Sequence, residues 1–189
     1  MKPLVAVLAG GKSSRMGTDK AEVTIGGESM LELVVGVAAS VGHAVVVGRG
    51  GTGGWDTIDD LRPGRLGPLA GLESALVHAA GRDVVLVGVD QPFLRAETLV
   101  RLTELAGDVV IPIENGWEQV TCAVYRKPFL PMVREALDAK TDLSILTILD
   151  HADTTRVEPE EWRSWGEDGR SWFSIDTPEA LQRGLSRYT

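Results

Sequence analysis

One cysteine, Cys122, stands in 189 residues, so no disulfide closes within the chain and no cysteine-based zinc site forms. Nothing asks for an oxidising compartment, and a cytoplasmic location is expected. The histidines are few as well: His43, His78 and His151 are scattered without metal-ligand spacing and read as surface or edge residues. A basic surplus is missing, because 19 Lys and Arg against 27 Asp and Glu leave a net charge of -8. That balance argues against a nucleic-acid partner, which needs cations to displace counterions from phosphates. Long apolar runs are also lacking. The stretch Leu4 to Ala9 is too short for a signal-peptide core, and nothing approaches the roughly 20 residues of a membrane helix, so no membrane partner is expected. Two familiar nucleotide signatures fail on spacing. A P-loop ending in Gly11-Lys12-Ser13 would need glycine where Ala6 stands, and no GxGxxG follows the first apolar run, which disfavours NAD chemistry.

What the chain does have is 43% hydrophobic residues, enough for a single domain over 1–189 with one sizeable core. Short β-branched runs alternate with longer helical patterns, the signature of an α/β fold whose mostly parallel sheet is covered on both faces. Leu4 to Leu8, Ala44 to Val47 and Asp83 to Val89 read as buried strands, with further strands near Val109 to Ile113 and Gln119 to Tyr125. Ser29 and Glu32 form a capping box before a helix running to about Val41. Pro68 opens a helix that Gly81 is placed to cap, and others are expected over Ala96 to Leu105, Pro128 to Ala139 and Asp142 to Leu149. Thr177-Pro178-Glu179 starts a C-terminal helix, and Gly48 to Gly67 reads as loop.

The residues suited to chemistry cluster at predicted strand ends. The first strand runs into Ala9-Gly10-Gly11-Lys12-Ser13-Ser14-Arg15-Met16-Gly17-Thr18-Asp19-Lys20, at the carboxyl edge where open α/β sheets bind ligands. Glycines there let backbone N–H groups approach phosphate oxygens, and Lys12, Arg15 and Lys20 offset their charge. A flexible turn with solvated charges has the same spacing. Asp90 ends a wholly apolar strand, where its carboxylate is placed either to hold Mg²⁺ or simply to start the turn before Pro92. Asp176 follows the short run Trp172 to Ile175, which reads as a strand, and is a second candidate magnesium ligand at its end or an acid at a helix N-terminus. Asp59 and Asp60 precede Gly67-Pro68-Leu69-Ala70-Gly71, a loop entering a helix, where a carboxylate and backbone amides suit a purine edge as well as an ordinary turn. Trp162, Trp165 and Trp172 with Phe173 read as packing of the tail onto the sheet, and Trp117 as cross-strand packing more than contact with an aromatic acceptor.

In their order, the runs LAGGKSSRMGTDKA, GPLAGL, VDQPFL and SIDTPEAL resemble the molybdenum cofactor guanylyltransferases, the MobA family, over nearly the whole chain. The resemblance implies a Rossmann-like, three-layer nucleotidyltransferase fold and GMP transfer from GTP to molybdopterin-bound molybdenum, with release of pyrophosphate. It implies that Leu8, Ala9, Gly10 and Gly11 line the nucleotide loop, that Arg15 and Lys20 grip phosphates, and that Asp60 with Gly67, Leu69 and Gly71 faces the guanine and ribose. It implies Mg²⁺ on Asp90, and hand-over of the pterin between enzymes of the pathway. Three positions depart from the pattern. Gly48 stands where the family often has a nucleotide-contacting Asn, and Asp176 replaces the Asn of an NTP motif, as in related cytidylyltransferases. Lys140-Thr141-Asp142-Leu143-Ser144 replaces a Gly-x-Arg-Ser stretch, which leaves Arg126, Lys127 or Lys140 for the anionic pterin. The competing readings are a cytidylyltransferase for the same pterin and a nucleotide-binding regulatory protein without turnover.

Overall fold

A computed structural model describes residues 1–10, 19–50, 54–64, 66–140 and 143–189. Its strands and helices follow in chain order as β1 (Leu4–Leu8), β2 (Thr24–Ile25), β3 (Glu28–Ser29), α1 (Met30–Val41), β4 (His43–Val47), β5 (Thr57–Ile58), α2 (Pro68–His78) and β6 (Val84–Gly88). They continue as α3 (Ala96–Glu104), β7 (Val109–Glu114), β8 (Trp117–Glu118), β9 (Cys122–Tyr125), α4 (Leu130–Ala139), β10 (Thr154–Val157), α5 (Pro159–Ser164) and α6 (Pro178–Tyr188).

The central sheet has the order β10-β7-β9-β6-β1-β4-β5, with β8 paired to β7. Neighbours are parallel except where β9 runs against β6 and β7 and where β8 turns back along β7. Alternation along the buried strands assigns each side chain a face. Leu4 and Ala6 of β1, with Val84 and Leu86 of β6, enter the core under α2 and α4. Val5 and Val7, with Val85 and Val87, enter the core under α1 and α3. Both faces being covered explains why these strands read as unbroken apolar runs.

Helix starts follow local chemistry. Ser29 accepts from the Glu32 amide at 3.2 Å while Glu32 accepts from the Ser29 amide at 2.7 Å, the reciprocal cap read from the sequence. The Thr177 hydroxyl accepts from the Ala180 amide at 3.1 Å and starts α6. Pro68 is the first residue of α2 as expected, whereas the helix ends at His78, three residues before Gly81.

Four elements differ from the sequence reading. Trp172 to Ile175 is not a strand; its start is a 3₁₀ turn over Arg170–Trp172. The edge strand beyond β7 is instead β10, whose half-exposed Thr154-Thr155-Arg156 carries little apolar signal. The Gly48 to Gly67 loop contains β5, only two residues long, pairing with Val46 and Val47. The helix expected over Asp142 to Leu149 is a 3₁₀ helix at Leu146–His151, and Asp142 itself lies outside the described residues.

The tail packs as its tryptophans foretell. Trp162 and Trp172 meet edge to face with ring centroids 5.0 Å apart, and Trp162 Nε1 donates to the Ile113 carbonyl at 2.9 Å. Beneath them the buried carboxylate of Glu167 accepts from the hydroxyls of Thr98 and Ser171 and from the amides of Asp168 and Gly169. This fixes the segment that delivers Ser174 to Asp176. Trp117 is the exception, since it is 70% exposed rather than packed across strands.

Candidate functional site

β1, β4 and β6 run parallel and end together, so their carboxyl ends form one edge. A cleft of about 500 Å³ opens there, within the range of small-molecule sites. Hydrogen bonds from the Ala9 amide to the Val47 carbonyl (3.1 Å) and from the Val89 amide to the Leu8 carbonyl (3.0 Å) carry the pairing past the strand ends and set its floor. Leu8, Ala9 and Gly10 line one wall. Gly11, Lys12 and Arg15 lie outside the described residues.

The chain returns at Asp19, whose carboxylate accepts from the Ala21 amide at 3.1 Å and starts a 3₁₀ turn over Lys20–Glu22. Arg49 grips that turn from the next loop, pairing with Asp19 and, at 2.9 Å, with Glu22. In the sequence Arg49 falls within the stretch from Gly48 to Gly67 that reads as loop, and local spacing gives no sign of partners 27 and 30 residues away. Beside it, Gly48 has φ +76°, and a Cβ on Gly10 would lie 3.0 Å from the Gly48 carbonyl oxygen. The two loops therefore touch backbone to backbone. Asparagine is the other residue that readily adopts this left-handed conformation, so Gly48 keeps the backbone shape while giving up a side-chain amide.

On the far side stand Asp60, Gly67, Pro68 and Gly71. Burial, and secondarily the charge of Asp59, raises the Asp60 carboxyl above its ordinary value. Gly67 caps α2 without a side-chain hydrogen bond, leaving the helix's first amides and its positive dipole end toward the cleft. Leu69 does not line this wall. Its side chain is fully buried in the α2 core, so what it can offer the cleft is its backbone amide.

Asp90 projects just beyond β6. A Cβ on Gly88 would lie 2.4 Å from Asp90 Oδ1, so glycine at 88 gives the carboxylate room to lie back over the strand end. Its Oδ2 accepts from Lys20 Nζ at 3.2 Å and from Ser174 Oγ at 3.0 Å, and its carbonyl accepts from the Ile175 amide at 2.8 Å. Asp176 accepts from the same ammonium and lies 3.1 Å from Ser174 Oγ. Lys20, Asp90 and Asp176, separated by up to 156 positions, are thus one cluster. Burial alone would lower the Lys20 pKa, but the Asp176 hydrogen bond and the two carboxylate charges outweigh it and raise the value above 10.5.

The cluster fits a divalent cation. An ammonium already sits between two carboxylates, standing in for a positive ion. Among the described residues no group of three or more His, Cys, Asp or Glu could hold a metal. Two hard oxygen ligands are, however, what magnesium commonly takes from protein, phosphates and water supplying the rest. Ser174 and Thr121 escaped the sequence reading. Ser174, two residues before Asp176, orients both acids, and Thr121 lines the cleft while accepting from Gln91 Nε2 at 3.3 Å. Arg126 can be set aside as an anion site: it pairs with Asp83 at 3.0 Å and donates to the carbonyls of Thr103, Leu105 and Gly107, at the opposite edge of the sheet.

Residues 5–155 match the MobA-like NTP transferase domain. A molybdenum cofactor guanylyltransferase of Xanthomonas euvesicatoria pv. vesicatoria is 34% identical over 151 residues, covering 79% of this chain and 72% of its own. The crystal structure of molybdopterin-guanine dinucleotide biosynthesis protein A from Archaeoglobus fulgidus superimposes with a TM-score of 0.84 at 27% identity, covering 97% of each chain. The 2-C-methyl-D-erythritol 4-phosphate cytidylyltransferase of Thermus thermophilus shares the fold at a TM-score of 0.68 and 17% identity, over 98% of each chain. Among the described residues no helix is long and apolar enough to cross a membrane. With a family match over most of its length, and a fold that ends in this cleft, the chain belongs to the MobA-like NTP transferases, a family of nucleotidyltransferases.

Proposed function

We propose that this chain transfers GMP from GTP to molybdenum-bound molybdopterin, forming the guanine dinucleotide cofactor and releasing pyrophosphate. The observation that carries this reading is the meeting of a glycine-walled half-cleft with the Lys20–Asp90–Asp176 cluster at one sheet edge. In this reading Leu8, Ala9, Gly10 and Gly11 hold the triphosphate, and Asp60 with Gly67, Leu69 and Gly71 serves the guanine and ribose. A carboxylate supports GTP over CTP, because guanine presents adjacent N1–H and 2-amino donors that two carboxylate oxygens can accept together. No protein nucleophile is needed. The acceptor's terminal phosphate attacks the α-phosphorus in line, and catalysis is positioning plus charge neutralisation. Mg²⁺ held by Asp90 and Asp176 would supply the positive charge that lets two phosphate groups approach each other. Lys20 and Arg15 stabilise charge on the departing pyrophosphate, and Ser174 holds both acids in orientation.

The direct test is pyrophosphate release by purified protein given Mg²⁺ and a molybdopterin-loaded donor, with GTP and CTP in separate reactions. Release with GTP is expected. Release with CTP alone would assign the cytidylyl reaction, and release with neither would leave a nucleotide-binding protein without turnover.

Gly71 offers a sharper check on the nucleotide wall. A Cβ there would meet Leu8 Cδ2 at 2.6 Å, and because Leu8 also lines the cleft, its side chain is pushed into the space given to the nucleotide. Overpacking of this kind costs about 1–3 kcal/mol. Gly71→Ala should raise the KM for GTP severalfold or more and, because the clash also burdens the fold, lower the melting temperature by a few degrees. An unchanged KM would take the Leu8–Gly71 contact out of the binding surface.

A further inference from the structure

We propose that Trp117 is the stacking platform for the flat heteroaromatic ring of the acceptor. This inference rests on the guanylyl-transfer reading above, and it gives a place to the substrate that reading leaves without one.

Sheet order decides which side is available. The half-cleft assigned to the nucleotide lies over β1 and β4, bounded by Asp60 and the start of α2, and Asp90 at the end of β6 marks its border. The room for an acceptor on the other side of Asp90 lies over β9 and β7. At that edge the chain builds a tight hairpin, Glu114-Asn115-Gly116-Trp117, with Trp117 paired opposite Glu114. Asn115 and Gly116 have φ of 52° and 81°. Positive φ at both residues of a two-residue loop is the turn that matches strand twist and fixes the register of a hairpin.

Further bonds hold the tip. Gln119 donates from its side chain to the Trp117 carbonyl and from its amide to the Pro112 carbonyl, both at 2.9 Å. Glu118 pairs with Arg156 of β10 at 3.2 Å. Four residues after Trp117 the same segment reaches Thr121, which lines the cleft and binds Gln91, the neighbour of Asp90. The hairpin is therefore tied directly to the reacting edge.

The indole has no packing role to account for it. Trp162 and Trp172 are 2% and 4% exposed and fill the core, whereas Trp117 is 70% exposed on a fixed backbone. A large, rigid π surface at the same carboxyl edge of the sheet as the cleft suits the flat aminopyrimidinone ring of the acceptor's pterin. Stacking on an aromatic side chain is worth about 1–3 kcal/mol per ring.

The test pairs kinetics with direct binding. Trp117→Ala is expected to raise the acceptor KM about 5- to 150-fold while leaving the KM for GTP and the melting temperature as in wild type, and Trp117→Phe should recover most of the loss. In a fluorescence titration without nucleotide, the pterin should remove the Trp117 share of wild-type emission, one of five tryptophans, and the Trp117→Phe protein, which keeps the other four, should lack that component. Wild-type protein that turns over GTP and pterin while Trp117→Ala keeps its acceptor KM and its affinity would overturn the platform alone. Wild-type protein that neither binds the pterin nor releases pyrophosphate with it would overturn the underlying reading, and the platform with it.

Discussion

Asp90→Asn is expected to lower kcat/KM for GMP transfer by about 10²- to 10³-fold, the loss typical of removing one preorganised charge-stabilising group, while moving the melting temperature only slightly. The argument for a small structural effect is specific. The backbone bond from the Ile175 amide to the Asp90 carbonyl (2.8 Å) survives the change, and an amide oxygen can still accept from Ser174 Oγ. What is lost is one negative charge beside Lys20, on a side chain that is 26% exposed and so reachable by a bound substrate. Raising the Mg²⁺ concentration should restore part of the rate if the charge serves to hold the cation. Turnover within about tenfold of wild type at ordinary Mg²⁺ would sink the assignment of Asp90.

Much of the fold was legible because the determinants are local. The apolar runs at Leu4–Leu8 and Val84–Gly88, the Ser29–Glu32 cap, and the prolines opening α2 and α6 each state an element in a few residues. The parts that were not legible depend on tertiary partners. β5 is two residues long and exists because Val46 and Val47 offer it an edge, and β10 is a polar strand stabilised by pairing with β7. Neither has a hydrophobic period to announce it. Trp172 to Ile175 looks like a strand on composition, yet Trp172 is spent on packing against Trp162 and the Ile175 amide on the Asp90 carbonyl.

The cleft shows the same division. Gly10, Gly67, Gly71 and Asp90 sit at ends of elements that the sequence marks, so their convergence follows from topology once β1, β4 and β6 are parallel, whereas Asp60 follows β5, which no sequence pattern marks. Arg49 and Ser174 act across 30 and 84 positions respectively. Side-chain pairs at such separations leave no periodic trace in a single sequence. Leu69 shows the limit of reading a motif as a surface, because in GPLAGL its neighbours Gly67, Pro68 and Gly71 line the cleft while Leu69 anchors the helix beneath them.

Lys20→Met should produce two effects of opposite sign. With the ammonium gone, Asp90 and Asp176 lose the positive charge held between them. Two unit charges about 4 Å apart interact by roughly 1–4 kcal/mol between water-like and surface-like dielectric, so a divalent cation titrated without nucleotide should bind at least about fivefold more tightly than to wild type. GMP transfer should nevertheless fall by about 10²- to 10³-fold in kcat, with a smaller loss of GTP affinity, because the lysine's charge matters most as pyrophosphate departs. The raised pKa sets the pH window. Lys20 is fully charged below 10.5 and loses its proton only as pH rises through a still higher folded value, so its deprotonation contributes no alkaline fall in wild-type rate below about pH 10. Lys20→Arg, which keeps the charge, should retain tight pairing with the two acids yet recover the rate only in part, since a planar fork does not replace a compact point charge. Calorimetric titration of the cation together with single-turnover rates decides the matter. Weaker cation binding alongside an unchanged kcat would mean that Lys20 only organises the two carboxylates and takes no part in the transfer.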